Sequence, residues 1–579
     1  MILYQRLLVV LLAILTMSPA AVLHAADDVL SVIPENALGF VVVRNARHTS
    51  DKIADLTEKL NVTTPNLLAS VQSLTGLAEG VSFDGDVALA LVTDRADGDA
   101  PVPVLILPVS DFDAFVKSLN GVKADDGIYM MTLARKPCVA ILKGDFAVIA
   151  EASNQAILKV IASNTTGVSS QLESIASWTR KTDVFVVGLP RGIAMVQRGI
   201  LSGLAVLKLQ IKQQGQQGET AITGLEIYEQ LFGAADREIA LIAAAVRLND
   251  TGDIHLLSRT IPKPDGVLTR LSANDKPVEG DLFRGIPPGK FVIAAGGVYP
   301  ASVMKDMTDW SMQIIKSWPG TPLNEQQASE FTALVLKSVQ GLQGMSMSMR
   351  VSAEGEPLYG NMVLALHVDD ADAYMETYQT TIEKMVEIGR DSGSPFFDYE
   401  VSRFDVNGLQ GLQLTMDMDA MIALQPGPQG PQKAMMRAMF GEDGKMRIYL
   451  ASADKNTILG TYVSAQHLVS AVADLRSGMA SFSRMPDVEK VHGLLPTDAT
   501  MVGYWSIGET VNFLRATLKS AVFNLSVAIP DFPETLPIGM AVSISDGGIE
   551  SDMVVPFDVS KTIADFVRAI RGQETPSRE

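Results

Sequence analysis

A short pattern recurs along this chain: a proline, a small or polar turn, an apolar run of strand length and then a helical period. It stands as VIPENALGFVVVRNARHTSDKI from Val32, as GIPPGKFVIAAGGVYPASVMKDM from Gly285 and as LLPTDATMVGYWSIGETVNFLRATL from Leu494. Without the leading proline it stands as TDVFVVGLPRGIAMVQRGIL from Thr182. Each copy leads, after a helical stretch, to two apolar or alternating runs around a turn rich in Asp, Glu or Gly, beginning at Asp86, Glu238, Gly344 and Gly539. Two strand-length runs joined by turn residues read as a β-hairpin. Recurrence of this kind restricts the chain to architectures that use one supersecondary unit several times.

The helices between hairpins carry their own signals. Asp111 precedes Phe112, Phe115, Val116 and Leu119; Asp370 precedes Tyr374 and Tyr378; Asp558 precedes Ile563, Phe566, Val567 and Ile570. Asp at a helix start caps free N–H groups and matches the dipole, so these carboxylates read as structural. A second module, two strands around a polar turn followed by a Ser-x-Gln step into a helix, follows two of the four units, from Val139 and from Arg447. The order is unit, module, unit, then the same again. That order predicts a tandem duplication with halves 27–275 and 282–572, joined by a Pro/Gly/Asp-rich linker region over 262–281.

The expected fold class is α+β: two related halves, each an antiparallel sheet built from repeated strand-helix-hairpin-helix units with helices on one face. QIKQQGQQGET from Gln210 and LQPGPQGPQK from Leu424 read as loops, and the tail 573–579 as disordered.

The N-terminus supplies an address. In MILYQRLLVVLLAILTMSPAAVLHAADD, Arg6 precedes an unbroken apolar run and Ser18-Pro19 breaks it, which predicts a signal peptide over 1–25 with the cut between Ala25 and Ala26. The expected location is outside the cytoplasm: periplasm, cell envelope or secreted. Cys138 is the only cysteine, so neither a lipid-anchoring cysteine at the mature start nor an internal disulfide is available. No later stretch offers 18 uncharged apolar residues, so no stable membrane span is expected after cleavage. A formal net charge of −19 disfavours nucleic acid and repels anionic lipid faces at long range.

The opening IPENALGFVVV, together with LPVSDFDAFVKSL and KGDFAVIAEASNQAILKVI, resembles uncharacterised exported bacterial proteins grouped as domains of unknown function. The resemblance implies export and repeat architecture, and it carries no site residues.

Chemistry-bearing motifs are sparse. The six histidines show no zinc-ligand spacing, and no nucleophile elbow, phosphate loop or dinucleotide fingerprint is present. No cofactor is expected. Cys138, in KPCVAILKG, reads as a buried small hydrophobe. Asp94, Asp97 and Asp99 crowd one hairpin turn and read as solvated, with calcium collection as the alternative; Asp417 and Asp419 read as one acidic face of a strand. Methionine is abundant, at 26 residues, and clusters at Met345, Met347 and Met349, at Met416 and Met418, and at Met435, Met436 and Met439. Core filling is the plain use of these thioethers, and an adaptable apolar groove is the functional one, with Met345, Met347, Met349, Met435, Met436 and Met439 as its candidate lining.

These features suggest an exported non-enzymatic protein that binds or scaffolds, with a protein or apolar ligand as partner. The alternatives are a carrier of an apolar or lipid-like ligand and an enzyme of unrecognised type.

Overall fold

The computed structural model describes residues 29–573, leaving out 63–66, 78, 94–99, 125–126, 165, most of 213–236, 273–279, most of 299–322, 353–355, 393–398, 424–428, 479–480, 520–529 and 546. Ala25, Ala26, the whole leader, Asp94, Asp97, Asp99 and the tail beyond Gln573 therefore lie outside the described residues. The chain divides into two compact units: one takes the chain up to Leu201, Gly233–Gly266 and everything from Ile563, and the other takes Ser202–Phe232 and Val267–Thr562.

The strands of the first unit are β1 (Ala37–Val43), β2 (Val87–Val92), β3 (Val102–Pro108), β4 (Val122–Lys123), β5 (Tyr129–Leu133), β6 (Lys136–Lys143), β7 (Phe146–Glu151), β8 (Val184–Gly188), β9 (Ile239–Leu248) and β10 (Ile254–Pro262). All their pairings are antiparallel, and the order across the sheet is β10-β9-β8-β1-β2-β3-β7-β6-β5-β4. Its helices include α1 (Ala46–Lys59), α2 (Phe112–Ser118), α3 (Gln155–Ser163) and the start of α4 (Pro190–Lys212).

Around β2, β3 and β7 the sheet is covered on both faces, which corrects the expectation of helices on one, while β8, β9 and β10 leave Val186, Ile242 and Leu256 exposed. Ala88, Ala90, Val104, Ile106 and Val148 pack with Ile157, Leu158 and Ile161 of α3 and with Leu172 and Ile175 of the following 3-10 turn. The alternate residues Val87, Leu107, Ala147 and Ile149 pack with Phe115 and Val116 of α2. Strands such as VALALV and FAVIAE are apolar at nearly every position because both of their faces are buried. Lys143 ends β6 and donates Nζ to the Ile161 and Asn164 carbonyls at 2.8 Å each, closing the C-terminus of α3. Burial there holds its ammonium below the usual lysine range.

The second unit contains β11 (Ile293–Val298), β12 (Leu342–Met349), β13 (Met362–Val368), β14 (Tyr399–Val406), β15 (Leu409–Asp417), β16 (Lys445–Ser452), β17 (Thr457–Tyr462), β18 (Met501–Trp505), β19 (Ile538–Ser545) and β20 (Gly548–Val555). The order is β20-β19-β18-β11-β12-β13-β17-β16-β15-β14, again wholly antiparallel. This is the order of the first unit with every strand number raised by ten. The four hairpins expected from the sequence are β2–β3, β9–β10, β12–β13 and β19–β20.

Helices of this unit include α5 (Glu325–Ser338), α6 (Ala371–Asp391), α7 (Gln429–Phe440), α8 (Ala465–Arg476), α9 (Pro486–His492) and α10 (Ile507–Lys519), and α11 (Phe557–Gln573) follows β20. Here too both sheet faces are covered. Tyr374 of α6 packs with Leu366, Leu450 and Ile458, while Leu468 of α8 and Val491 of α9 pack with Ala365, Ala451 and Leu459.

Hydrogen bonds outside the ladders match between the units as well. Val168 donates to Ile33 at 3.0 Å and Phe482 to Ile286 at 3.2 Å; Leu189 donates to Leu38 at 3.0 Å and Ser506 to Val292 at 2.9 Å. Ser110 donates to Gly80 at 2.9 Å and Asp369 to Gly341 at 3.0 Å. Both of these glycines have left-handed φ, 77° and 83°, a conformation that a side chain disfavours. Asp111 and Asp370 each cap the next helix, accepting from Ala114 at 2.9 Å and from Ala373 at 3.0 Å. Asp558 instead lies inside the first turn of α11 and accepts from the Leu536 N–H at 3.3 Å.

Three local expectations are corrected. Residues 210–212 continue α4, and Gln429 onward of the Gln/Pro segment forms α7, so parts of both expected loops are helical. Asp417 ends β15 and Met418 begins the helix Met418–Ala423, so Asp417 and Asp419 do not share a strand face; Asp419 receives Arg437 at 2.6 Å. Within the linker region, Val267–Ser272 is helical.

Candidate functional site

Several polar side chains converge at a cleft of about 420 Å³ in the second unit, where Asp281, Ser483, Arg484, Glu489, His492 and Tyr504 meet. Three local structures place them. Residues Phe482–Arg484 form a 3-10 turn that buries Phe482 completely and turns Ser483 and Arg484 outward. α9 starts at Pro486, whose fixed φ and missing N–H suit a first helical turn, and ends at His492. β18 carries Tyr504 on the face that packs against Phe283 and Phe482, with ring centroids at 5.7 and 5.9 Å. Phe482 also meets Phe291 at 4.8 Å edge to face, so the floor of the cleft is an aromatic cluster. Such pairs add roughly 0.5–1.5 kcal/mol each beyond their burial.

The polar groups are largely committed to one another. Asp281 accepts from the Phe283 N–H at 3.0 Å and from the Ser481 hydroxyl, and Ser481 and Ser483 share a hydrogen bond at 2.6 Å. His492 Nδ1 lies 3.0 Å from the Tyr504 hydroxyl. Burial, with the Asp281 charge as a lesser cause, pushes the Tyr504 phenol well above its ordinary pKa, so at neutral pH it is a protonated phenol and not a base. The arrangement suits recognition of hydroxyl, amide or charged groups: Arg484, Asp281, Glu489 and His492 are exposed at the cleft, while the Tyr504 phenol is buried beneath and holds His492.

The methionines fall into two packing environments. Met345, Met347 and Met349 line one face of β12 and are half-buried, alternating with buried Gly344, Ser346 and Ser348. Met345 packs with Leu366, Met375 and Tyr378 beneath α6. Tyr374 and Tyr378 stack there at 6.0 Å, Tyr374 donates to the Ser338 carbonyl at 2.6 Å, and burial pushes the Tyr378 phenol up to about 12. Met435, Met436 and Met439 stand on α7, which is held to the turn before β13 by Leu358 donating to Ala438 at 3.0 Å and Tyr359 to Met439 at 3.1 Å. Met435 is exposed, and Met436 and Met439 are half-buried.

Cys138 is buried, which raises its thiol pKa. Among the described residues no group of three or more His, Cys, Asp or Glu has an arrangement fit to hold a metal ion. Nothing in the sequence pattern marks the cleft residues as a set. Asp281 and Ser481 are 200 positions apart, so no short motif joins them. Comparison with family models, with curated proteins and with solved structures finds no match for this chain.

Proposed function

We propose that this chain is an exported, non-enzymatic protein of the cell envelope or the extracellular space, built by internal duplication of a ten-strand unit and used for binding or scaffolding. The observation that carries the duplication is the identical order of ten strands in the two units, reinforced by the matched loop bonds and helix caps. Independent segments reach one shared order of ten only by coincidence. It supports the reading of the halves as related copies.

The reading of binding over catalysis rests on how the cleft diverges from its counterpart. Ile293 pairs with Trp505 as Gly39 pairs with Gly188, so Tyr504 corresponds to Val187. Phe482 corresponds to Val168 through the matched bond, and ten residues beyond them lie His492 and Trp178. Among the described residues, the frame is kept while the Tyr504–His492 pair of the second unit is replaced by Val187 and Trp178 in the first. The cleft's serines bond to Asp281 and to each other, its histidine bonds to a phenol raised away from neutrality, and these groups hold the site together instead of activating a nucleophile.

The test is one-dimensional NMR of the mature chain with a mixed panel of sugars, amino acids and dicarboxylates. Saturation transfer to a panel member, lost in Arg484→Ala/His492→Ala, supports polar-ligand binding. Consumption of a panel member by the wild type and not by that variant would make the cleft catalytic and overturn the reading.

A further inference from the structure

Three groups at the cleft of the second unit keep hydrogen-bonding capacity that the fold does not use. Arg484, on the 3-10 turn, and Glu489, on α9, are exposed, and among the described residues neither side chain takes part in a hydrogen bond or an ion pair. The third is the outer nitrogen of His492. The Tyr504 phenol carries its proton at neutral pH and has no other partner among the described residues, so it donates to His492 Nδ1 at 3.0 Å. That fixes the imidazole hydrogen on Nε2, and an imidazolium would carry one there as well. The cleft therefore offers donors in Arg484 and His492 and a free anionic acceptor in Glu489.

The frame around the cleft does not call for these groups. Counted from the matched pair Phe482 and Val168, the positions of Arg484, Glu489 and His492 hold Ser170, Ile175 and Trp178 in the first unit. Ile175 and Trp178 are buried there, with apolar packing in place of charge. The two opposite charges are a departure of the second unit from a frame that closes without them.

Two opposite charges that share one cleft without pairing set the class of ligand. A guanidinium is matched by a carboxylate and a free carboxylate by an ammonium, so a molecule carrying both satisfies each side. A dicarboxylate would bring its second anion against Glu489 and Asp281, a diamine would set a cation against Arg484, and a sugar would leave both charges unmatched. Asp281 is already held by the Ser481 hydroxyl and the Phe283 N–H, and it adds negative potential to the cleft. The rest of the lining includes Leu282, Phe283, Pro496, Ala499 and Val502, and about 420 Å³ is room for a small molecule with an apolar arm. We propose that the cleft binds a free α-amino acid with an apolar side chain, its carboxylate on Arg484, its ammonium on Glu489 and its side chain on the apolar lining. This names the ligand of the binding site proposed above and rests on that reading.

The test is isothermal titration calorimetry of the mature chain, beginning at Ala26, with leucine, with phenylalanine and its N-acetyl and amide derivatives, and with glucose and succinate. Leucine and phenylalanine are expected to bind, the two derivatives at least about tenfold more weakly than the parent, and glucose and succinate not at all. Arg484→Gln should weaken phenylalanine about tenfold and leave the amide as it was, and Glu489→Gln should do the same against the N-acetyl derivative, with unchanged circular dichroism since both positions are exposed. The comparison of derivatives on the wild type needs no variant. Derivatives that bind as tightly as phenylalanine, or glucose or succinate binding in place of the amino acids, would overturn the amino-acid assignment and leave polar-ligand binding standing. Binding of none of them would overturn the assignment as well. Consumption of phenylalanine by the wild type and not by Glu489→Gln would overturn both, since the cleft would then be catalytic.

Discussion

Two glycines in one helix are expected to respond to the same substitution with opposite signs. In Gly192→Ala the new methyl would stand 1.9 Å from the Leu38 oxygen and 2.7 Å from its carbonyl carbon. Both atoms belong to the backbone of β1 and cannot rotate aside, so either α4 lifts or the strand bends. Overpacking of this kind costs about 1–3 kcal/mol. The gain in helix propensity, at most about 1 kcal/mol, offsets part of that cost near the helix start. In Gly199→Ala nothing lies within 4 Å, so the propensity gain stands alone. Gly192→Ala should therefore unfold at lower urea than wild type and Gly199→Ala at higher urea, with the two variants separated by about 1–3 kcal/mol. The assay is urea unfolding followed by fluorescence, with amide exchange at Leu189, whose N–H bonds to Leu38 at 3.0 Å, as a local probe. Equal stability, or the reverse order, would show that the start of α4 is not seated on β1.

Asp111→Ala and Asp370→Ala each remove a single cap from corresponding helices, and each should lower stability by about 1 kcal/mol in thermal unfolding; a large loss in one and none in the other would contradict equivalent capping. His367 donates Nε2–H to the Leu282 carbonyl at 3.0 Å, and burial holds its pKa below the ordinary 6.5. The unfolded chain then takes up the proton first, so stability contributed by this site falls as pH drops below 6.5 and is complete above it. His367→Gln should flatten that part of the pH–stability curve, and an unchanged slope in the variant would assign it to other groups.

Much of the architecture was legible because it is local. Hairpins announced themselves by turn residues between strand-length runs, and Asp111 and Asp370 by their place before an apolar period. The coverage of both sheet faces was equally present in VALALV and FAVIAE, whose lack of alternation marks burial on both sides. The first half of α4 was legible as the helix of the Thr182 copy, but its continuation to Lys212 was not, because it is apolar nearly all round with cations interspersed and shows neither a clean stripe nor an uncharged run. The cleft was illegible because its members come from three separated segments, the 281–283 turn, the stretch 481–492 and β18, which meet only in the fold, through the Ser481–Asp281, Phe482–Ile286 and His492–Tyr504 bonds. Gln429 and its neighbours looked like loop by composition, yet α7 forms because the apolar Met436, Met439 and Phe440 beyond them have a surface to pack on.

Export is the claim on which the envelope reading and the polar cleft's access to extracellular ligands both depend. The most direct measurement is N-terminal sequencing of the protein recovered from the envelope fraction or the medium. The expected result is a mature start near Ala26. An intact Met1 on protein confined to the cytoplasm would contradict it.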